Sequence, residues 1–130
     1  MKESTASLPF VFDSAQRNAA NSQKCMVMLN NLQKCNTEQF TMEFGSELRR
    51  ALVVKTSEPC VKRLVKFIVT FAVSTKTPAK LGQQEMEFSL FLLRFALHST
   101  RVKKNEVRYW GCKIIAELLK VLPEDSQCFE

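Results

Sequence analysis

At 130 residues and 45% hydrophobic content the chain is long enough for one modest domain with a core, which excludes disorder throughout. Nineteen Lys and Arg against thirteen Asp and Glu leave a net charge of +6, a balance that favours an anionic binding partner. Five cysteines (Cys25, Cys35, Cys60, Cys112, Cys128), odd in number and without a Cys-x-x-Cys pair, argue against a disulfide framework or a zinc site, and the single histidine, His98, has no partner at metal-ligand spacing.

In chain order, residues 1–7 are polar and read as a frayed tail. Leu8 to Asn18 can form a short helix, with Pro9 tolerated in its first turn. Asn21 or Ser22 can cap a second helix reaching about Cys35, with Cys25, Met28, Leu29 and Leu32 at helical spacing. Thr37, Phe40, Phe44, Leu48, Ala51 and Leu52 predict a third helix that ends at Ser57-Glu58-Pro59, with Gly45 weakening it. The fourth, Glu58 to Ser74, has the cleanest pattern. Val61, Leu64, Val65, Phe67, Ile68, Val69, Phe71 and Ala72 take one broad arc, and Lys62, Arg63, Lys66 and Thr70 the opposite side.

Thr75 to Gly82, with Pro78, Lys76 and Lys80, reads as a loop. A fifth helix, about Glu85 to His98, is apolar on nearly all sides, as suits a helix between neighbours; Phe91 is expected in the core. The basic turn Arg101-Val102-Lys103-Lys104 leads into a sixth helix, about Asn105 to Leu122, closed by Pro123. Its buried stripe is Val107, Trp110, Ile114, Ile115, Leu118, Val121 and Leu122, and its wet stripe Lys113, Glu117 and Lys120. Arg108, at the margin, is expected to pair with a carboxylate or helix-end carbonyls. No stretch reaches ~18 apolar residues and the first residues lack a secretory apolar run, so a soluble intracellular protein without membrane contact is expected.

Two features recur. Met42-Glu43-Phe44 and Met86-Glu87-Phe88 each open an apolar-periodic stretch, 44 positions apart, and the stretches beginning near Val61 and Val107 are 46 apart. That spacing suits two-helix units that bury their apolar faces by stacking, at roughly 40–47 residues per unit. The expected fold is all-α: an α-solenoid fragment of about three antiparallel helix pairs over residues 8–123, with strand content essentially nil and 124–130 a tail or the start of a next, missing repeat. The chain reads as a fragment of a longer array or an incomplete gene product.

Asn105-Glu106-Val107-Arg108 followed by the helix ending Ile114-Ile115-Ala116-Glu117-Leu118-Leu119 resembles the second helix of a HEAT (armadillo-like) repeat. In order and spacing, Phe40 through Val54, Glu58-Pro59-Cys60-Val61-Lys62-Arg63 with Phe67 and Phe71, Phe88-Ser89-Leu90-Phe91-Leu92-Leu93, and Asn105 to Leu122 with Pro123-Glu124 resemble the N-terminal HEAT segment of the condensin subunit 3 (condensin G subunit) family. The resemblance implies a non-catalytic subunit that, with a kleisin partner and through it the SMC ATPase subunits, holds double-stranded DNA in nuclei and on mitotic chromosomes. Members of that family are several times longer.

On this reading Lys62, Arg63 and Lys66 form one phosphate-contacting cluster and Arg101, Lys103 and Lys104 another, with affinity from counterion release and little base readout. A cationic helix face also serves plain solvation, and the alternative function is a protein-recognition adaptor, transport-receptor-like, binding acidic peptides. Without a Gly-rich phosphate loop, paired carboxylates or a nucleophile–base arrangement, no enzyme activity, cofactor, metal or small-molecule substrate is expected.

Overall fold

A computed structural model describes residues 7–53 and 57–121. Within them the order is α1 (Leu8–Arg17), a single 3-10 turn (Ala19–Asn21), α2 (Ser22–Cys35), α3 (Thr37–Val53), α4 (Glu58–Ser74), a hairpin of β1 (Ala79–Leu81) and β2 (Gln84–Met86), α5 (Phe88–Ser99) and α6 (Asn105–Val121). None of these helices is long and apolar enough to cross a membrane. The assignments to residues 1–6 and 122–130, Leu122 and Pro123 included, fall outside the described residues.

The helix starts follow from local chemistry. The Ser7 hydroxyl accepts from the Phe10 N–H at 3.4 Å, with Pro9 in the first turn where its missing N–H costs nothing. Asn21 occupies the cap position of α2 but makes no side-chain cap bond. Its amide instead donates to the Ser14 carbonyl (3.0 Å) and hydroxyl (3.2 Å), tying the start of α2 back to α1. A single residue, Asn36, separates α2 from α3, and its side-chain oxygen accepts from the Gln39 N–H at 3.1 Å. Glu58–Ser74 has the predicted bounds, and all eight residues of its apolar arc are buried.

The molecule is an all-α helical-repeat stack. In it α4 packs between α1 and α6, α3 packs on α1, α2 and α6, and α5 lies against α4 and, most extensively, α6. Its centre is a knot of phenylalanines. Phe44 of α3 meets Phe12 of α1 at 5.3 Å, Phe71 of α4 at 6.0 Å, and Phe88 and Phe91 of α5 at 5.0 and 6.5 Å, mostly edge to face as ring quadrupoles prefer. Phe40 adds contacts to Phe71 and Phe88 at 6.0 Å each.

Four expectations are corrected. Thr75 to Gly82 is not all loop: Ala79↔Met86, Lys80↔Glu85 and Leu81↔Gln84 pair antiparallel around Gly82, whose φ is +60°. α5 therefore begins at Phe88, not Glu85, because β2 takes Gln84–Met86. The repeated Met-Glu-Phe phrase is thus not one structure twice, since Met42-Glu43-Phe44 lies inside α3 whereas Met86 ends a strand and Glu87 precedes a helix. Val121 is exposed and Phe91 and Ile115 half-buried rather than in the core.

The hairpin is held by a polar seam. Gln33, 0% exposed, donates from Nε2 to the Thr77 carbonyl at 3.0 Å and accepts from the Thr75 hydroxyl at 2.9 Å. Thr41, also fully buried, accepts from the Lys80 N–H at 3.1 Å, and Glu38 from the Gly82 N–H at 3.1 Å. A buried amide of this kind is tolerable because both its donor and acceptor are satisfied.

Candidate nucleic-acid interface

Lys62 and Lys66 stand one turn apart on the exposed side of α4, where four-residue spacing puts them on one face. Arg63 differs from them. It is half-buried, and its Nη1 donates to the Gln16 carbonyl at 2.8 Å, with the Cys60 sulfur 3.9 Å away. The carbonyls of the last turn of α1 have no partner within their own helix, so this charge-assisted bond fastens α1 to α4. Arg63 also lines, with Lys66, Phe67, Thr70, Ser22 and Met26, a groove of about 210 Å³ between α2 and α4. The expected all-solvent cationic face thus has one member with a structural task.

The turn between α5 and α6 is set by backbone bonds, Thr100 N–H to Ala96 C=O at 3.1 Å and Arg101 N–H to His98 C=O at 3.0 Å. Val102 packs against the core, and Arg101, Lys103 and Lys104 are exposed around it. The Lys104 carbonyl then accepts from the Arg108 N–H at 3.1 Å as α6 begins.

The Tyr109 hydroxyl donates to the Glu58 carboxylate at 3.1 Å, which joins the first turns of α6 and α4. The Arg101–Lys104 turn consequently enters at the same end of the molecule as the first turn of α4, one turn before Lys62. Both helices present their N-termini there, and each macrodipole adds partial positive charge to the fixed cations. Lys113, assigned from sequence only to a wet stripe, stands over the Tyr109 ring at 5.4 Å and belongs to the same region. The pattern of α6 placed Lys113 on the solvent side, but its nearness to α4 depends on the Tyr109–Glu58 contact across 51 positions.

Charge compensation is uneven. Arg17 pairs with Asp13 (2.7 Å), Lys120 with Glu117 (3.3 Å), and Arg50 with Glu47, whose hydrogen bond and negative charge raise the Arg50 pKa above its ordinary value. Among the described residues none of Lys62, Arg63, Lys66, Arg101, Lys103 and Lys104 is in an ion pair. Among the described residues Arg108 pairs with neither a carboxylate nor a helix-end carbonyl: it is exposed and donates to the Asn105 side-chain oxygen. A groove of about 590 Å³ between α1, α2 and α3 is lined by Glu43, Glu47 and Arg50 and by none of these six cations. Of the cysteines described, Cys25 is buried, Cys60 half-buried, and Cys35 and Cys112 exposed, and no group of three His, Cys, Asp or Glu among the described residues could hold a metal.

No protein-family profile and no solved structure matches the chain. Among curated proteins it is 29% identical to human condensin complex subunit 3 over 126 residues, 93% of this chain, and 28% identical to the Xenopus laevis protein of the same name over 122 residues, 89% of this chain. The chain spans 12% of the length of each of these relatives. The resemblance read from the order and spacing of its helices is borne out: over most of its length this chain is similar to a short part of condensin complex subunit 3.

Proposed function

We propose that this chain is a non-catalytic scaffold element of the condensin complex that holds double-stranded DNA by its phosphate backbone. In this reading it works beside a kleisin subunit, and through it the SMC ATPase subunits, in mitotic chromosome condensation. Its place is the nucleus and mitotic chromosomes, with the cytoplasm as the interphase alternative. The reading is supported by two things together: similarity to condensin complex subunit 3 over 93% of the chain, and exposed cations on α4 and before α6 that are in no ion pair among the described residues.

The chemistry required is modest. Cations fixed on rigid helices meet phosphates, release condensed counterions and gain affinity without reading bases. Lys62, Lys66, Arg101, Lys103 and Lys104 are exposed and in no ion pair among the described residues, and Arg63 can offer its remaining N–H groups while Nη1 stays on Gln16.

The test has two arms. The chain should co-purify with condensin from mitotic cells, and it should bind unrelated DNA duplexes with equal affinity that falls steeply with salt. Binding to acidic peptides without binding to duplex would put the protein-recognition reading in its place.

A further inference from the structure

Glu58 and Lys62 stand four positions apart on α4, both exposed, with the acid on the N-terminal side. In a helix that spacing puts the two side chains on one face, and that order is the better of the two for an ion pair. The same arrangement forms one on α1, where Asp13 and Arg17 pair at 2.7 Å. By local chemistry Glu58 should therefore compensate Lys62. No ion pair joins them.

The difference lies in where the Glu58 carboxylate goes. Its Oε2 accepts from the Tyr109 hydroxyl of α6 at 3.1 Å, a charge-assisted bond between residues 51 positions apart. Tyr109 is itself held in place: its ring meets that of Trp110 edge to face at 4.9 Å, and Trp110 is buried in the core. The ring also carries Lys113, whose Nζ stands 5.4 Å from its centroid. Glu58 meanwhile keeps its place in the first turn of α4, where a negative charge complements the helix macrodipole. Its pairing is redirected, and its charge is not removed.

We infer, resting on the phosphate-backbone reading above, that Tyr109 is a positioning residue of the cationic surface: by drawing the Glu58 carboxylate onto α6 it keeps that acid off Lys62 and leaves the lysine to a phosphate. Without the hydroxyl, Glu58 returns to the partner that helix geometry offers. By spacing that partner is Lys62, since Arg63 is bound to the Gln16 carbonyl and Lys66 lies two turns from Glu58. A phosphate must then displace a carboxylate before it meets Lys62. Tyr109 touches no phosphate in this account; it acts through Glu58.

The test compares the full chain with Tyr109→Phe, Glu58→Gln and the double variant. Tyr109→Phe keeps the ring, with its contacts to Trp110 and Lys113, and removes the hydroxyl alone. The first readout needs no DNA: the rate at which acetic anhydride labels Lys62, measured by mass spectrometry against Lys66 in the same molecule. An ion-paired ammonium gives up its proton less readily, and only the neutral amine attacks the reagent. Labelling of Lys62 should slow about two-fold in Tyr109→Phe, the size of an exposed pair of this spacing, and should not slow when Glu58 is Gln. The second readout is titration of a labelled duplex. Tyr109→Phe should weaken binding about two-fold and flatten its salt dependence, again only where Glu58 is present. An unchanged Lys62 rate in Tyr109→Phe overturns the inference, as does a loss that is equal with and without Glu58, which marks a packing residue. Slower Lys62 labelling at parental duplex affinity overturns the role in binding. Failure of the parent chain to bind duplex, with Lys62 labelling behaving as expected, overturns the phosphate reading and leaves the steering of Glu58 by Tyr109 in place.

Discussion

Phe44 is the residue on which most elements converge, for its ring touches aromatic neighbours from α1, α4 and α5 while its own helix supplies Phe40 at 5.7 Å. A void there would be walled by other rings held by separate helices, which limits collapse. Phe44→Ala should therefore cost about 3–5 kcal/mol, a large part of the stability of so small a domain. Urea unfolding measures it, and a midpoint within error of the parent would mean that the aromatic knot is not the core. The helical spacing of Phe40, Phe44 and Leu48 already pointed inward in the sequence. Gln33 gave no such signal, because an amide among polar neighbours on α2 reads as solvent-facing. Its burial depends on Thr75 and Thr77, which are 42 and 44 positions away.

Between elements, two glycines show how packing decides the sign of one substitution. A Cβ on Gly111 of α6 would lie 2.9 Å from the Ser99 Cβ and 3.0 Å from the Ala96 carbonyl oxygen of α5, so the close approach of these helices needs the missing side chain. At Gly45 of α3 the nearest atom would be the tip of Phe91 at 3.7 Å, an ordinary contact. Gly45→Ala should then stabilise by about 0.5–1 kcal/mol through helix propensity, and Gly111→Ala should destabilise by about 1–3 kcal/mol through overpacking. Thermal melts of the two mutants should move in opposite directions, and movement in the same direction contradicts the packing of α5 on α6. The six helices were legible because each repeats its apolar positions over several turns. The hairpin was not, since Ala79-Lys80-Leu81 is too short to show alternation. Its trace was Gly82-Gln83, a two-residue turn with positive φ at the glycine alone, as a type II′ turn requires. The repeated Met-Glu-Phe misled at this scale: Phe44 and Phe88 do meet, at 5.0 Å, but as neighbours in one core rather than as equivalent positions of two repeats.

Across the whole molecule the net charge of +6 is unevenly paired: Glu47 pairs with Arg50 in the α1–α2–α3 groove, while Lys62 and Lys66 on α4 and Arg101, Lys103 and Lys104 before α6 are in no ion pair among the described residues. Glu58 and Glu106 are the acids in the first turns of those helices. The sequence placed each cation on its own helix, but it could not show that Tyr109 and Glu58 bring the two helix starts together, nor that Arg63 is bound to Gln16. That difference divides the cluster into separable parts. Lys62→Gln with Lys66→Gln should leave melting within about 0.5 kcal/mol per site, as exposed substitutions do. Arg63→Gln should cost about 1 kcal/mol more, because it leaves the Gln16 carbonyl without its charged donor. If these side chains meet phosphates, the lysine pair should lower duplex affinity equally for unrelated sequences, and should flatten the plot of log affinity against log salt by about 0.9 for each phosphate no longer neutralised. Neutralising Arg101, Lys103 and Lys104 should weaken binding further in the same way, since that turn lies at the same end of the molecule. Parental affinity together with a parental slope in the lysine double mutant, at unchanged stability, would leave α4 a solvated face and remove it from the proposed DNA interface.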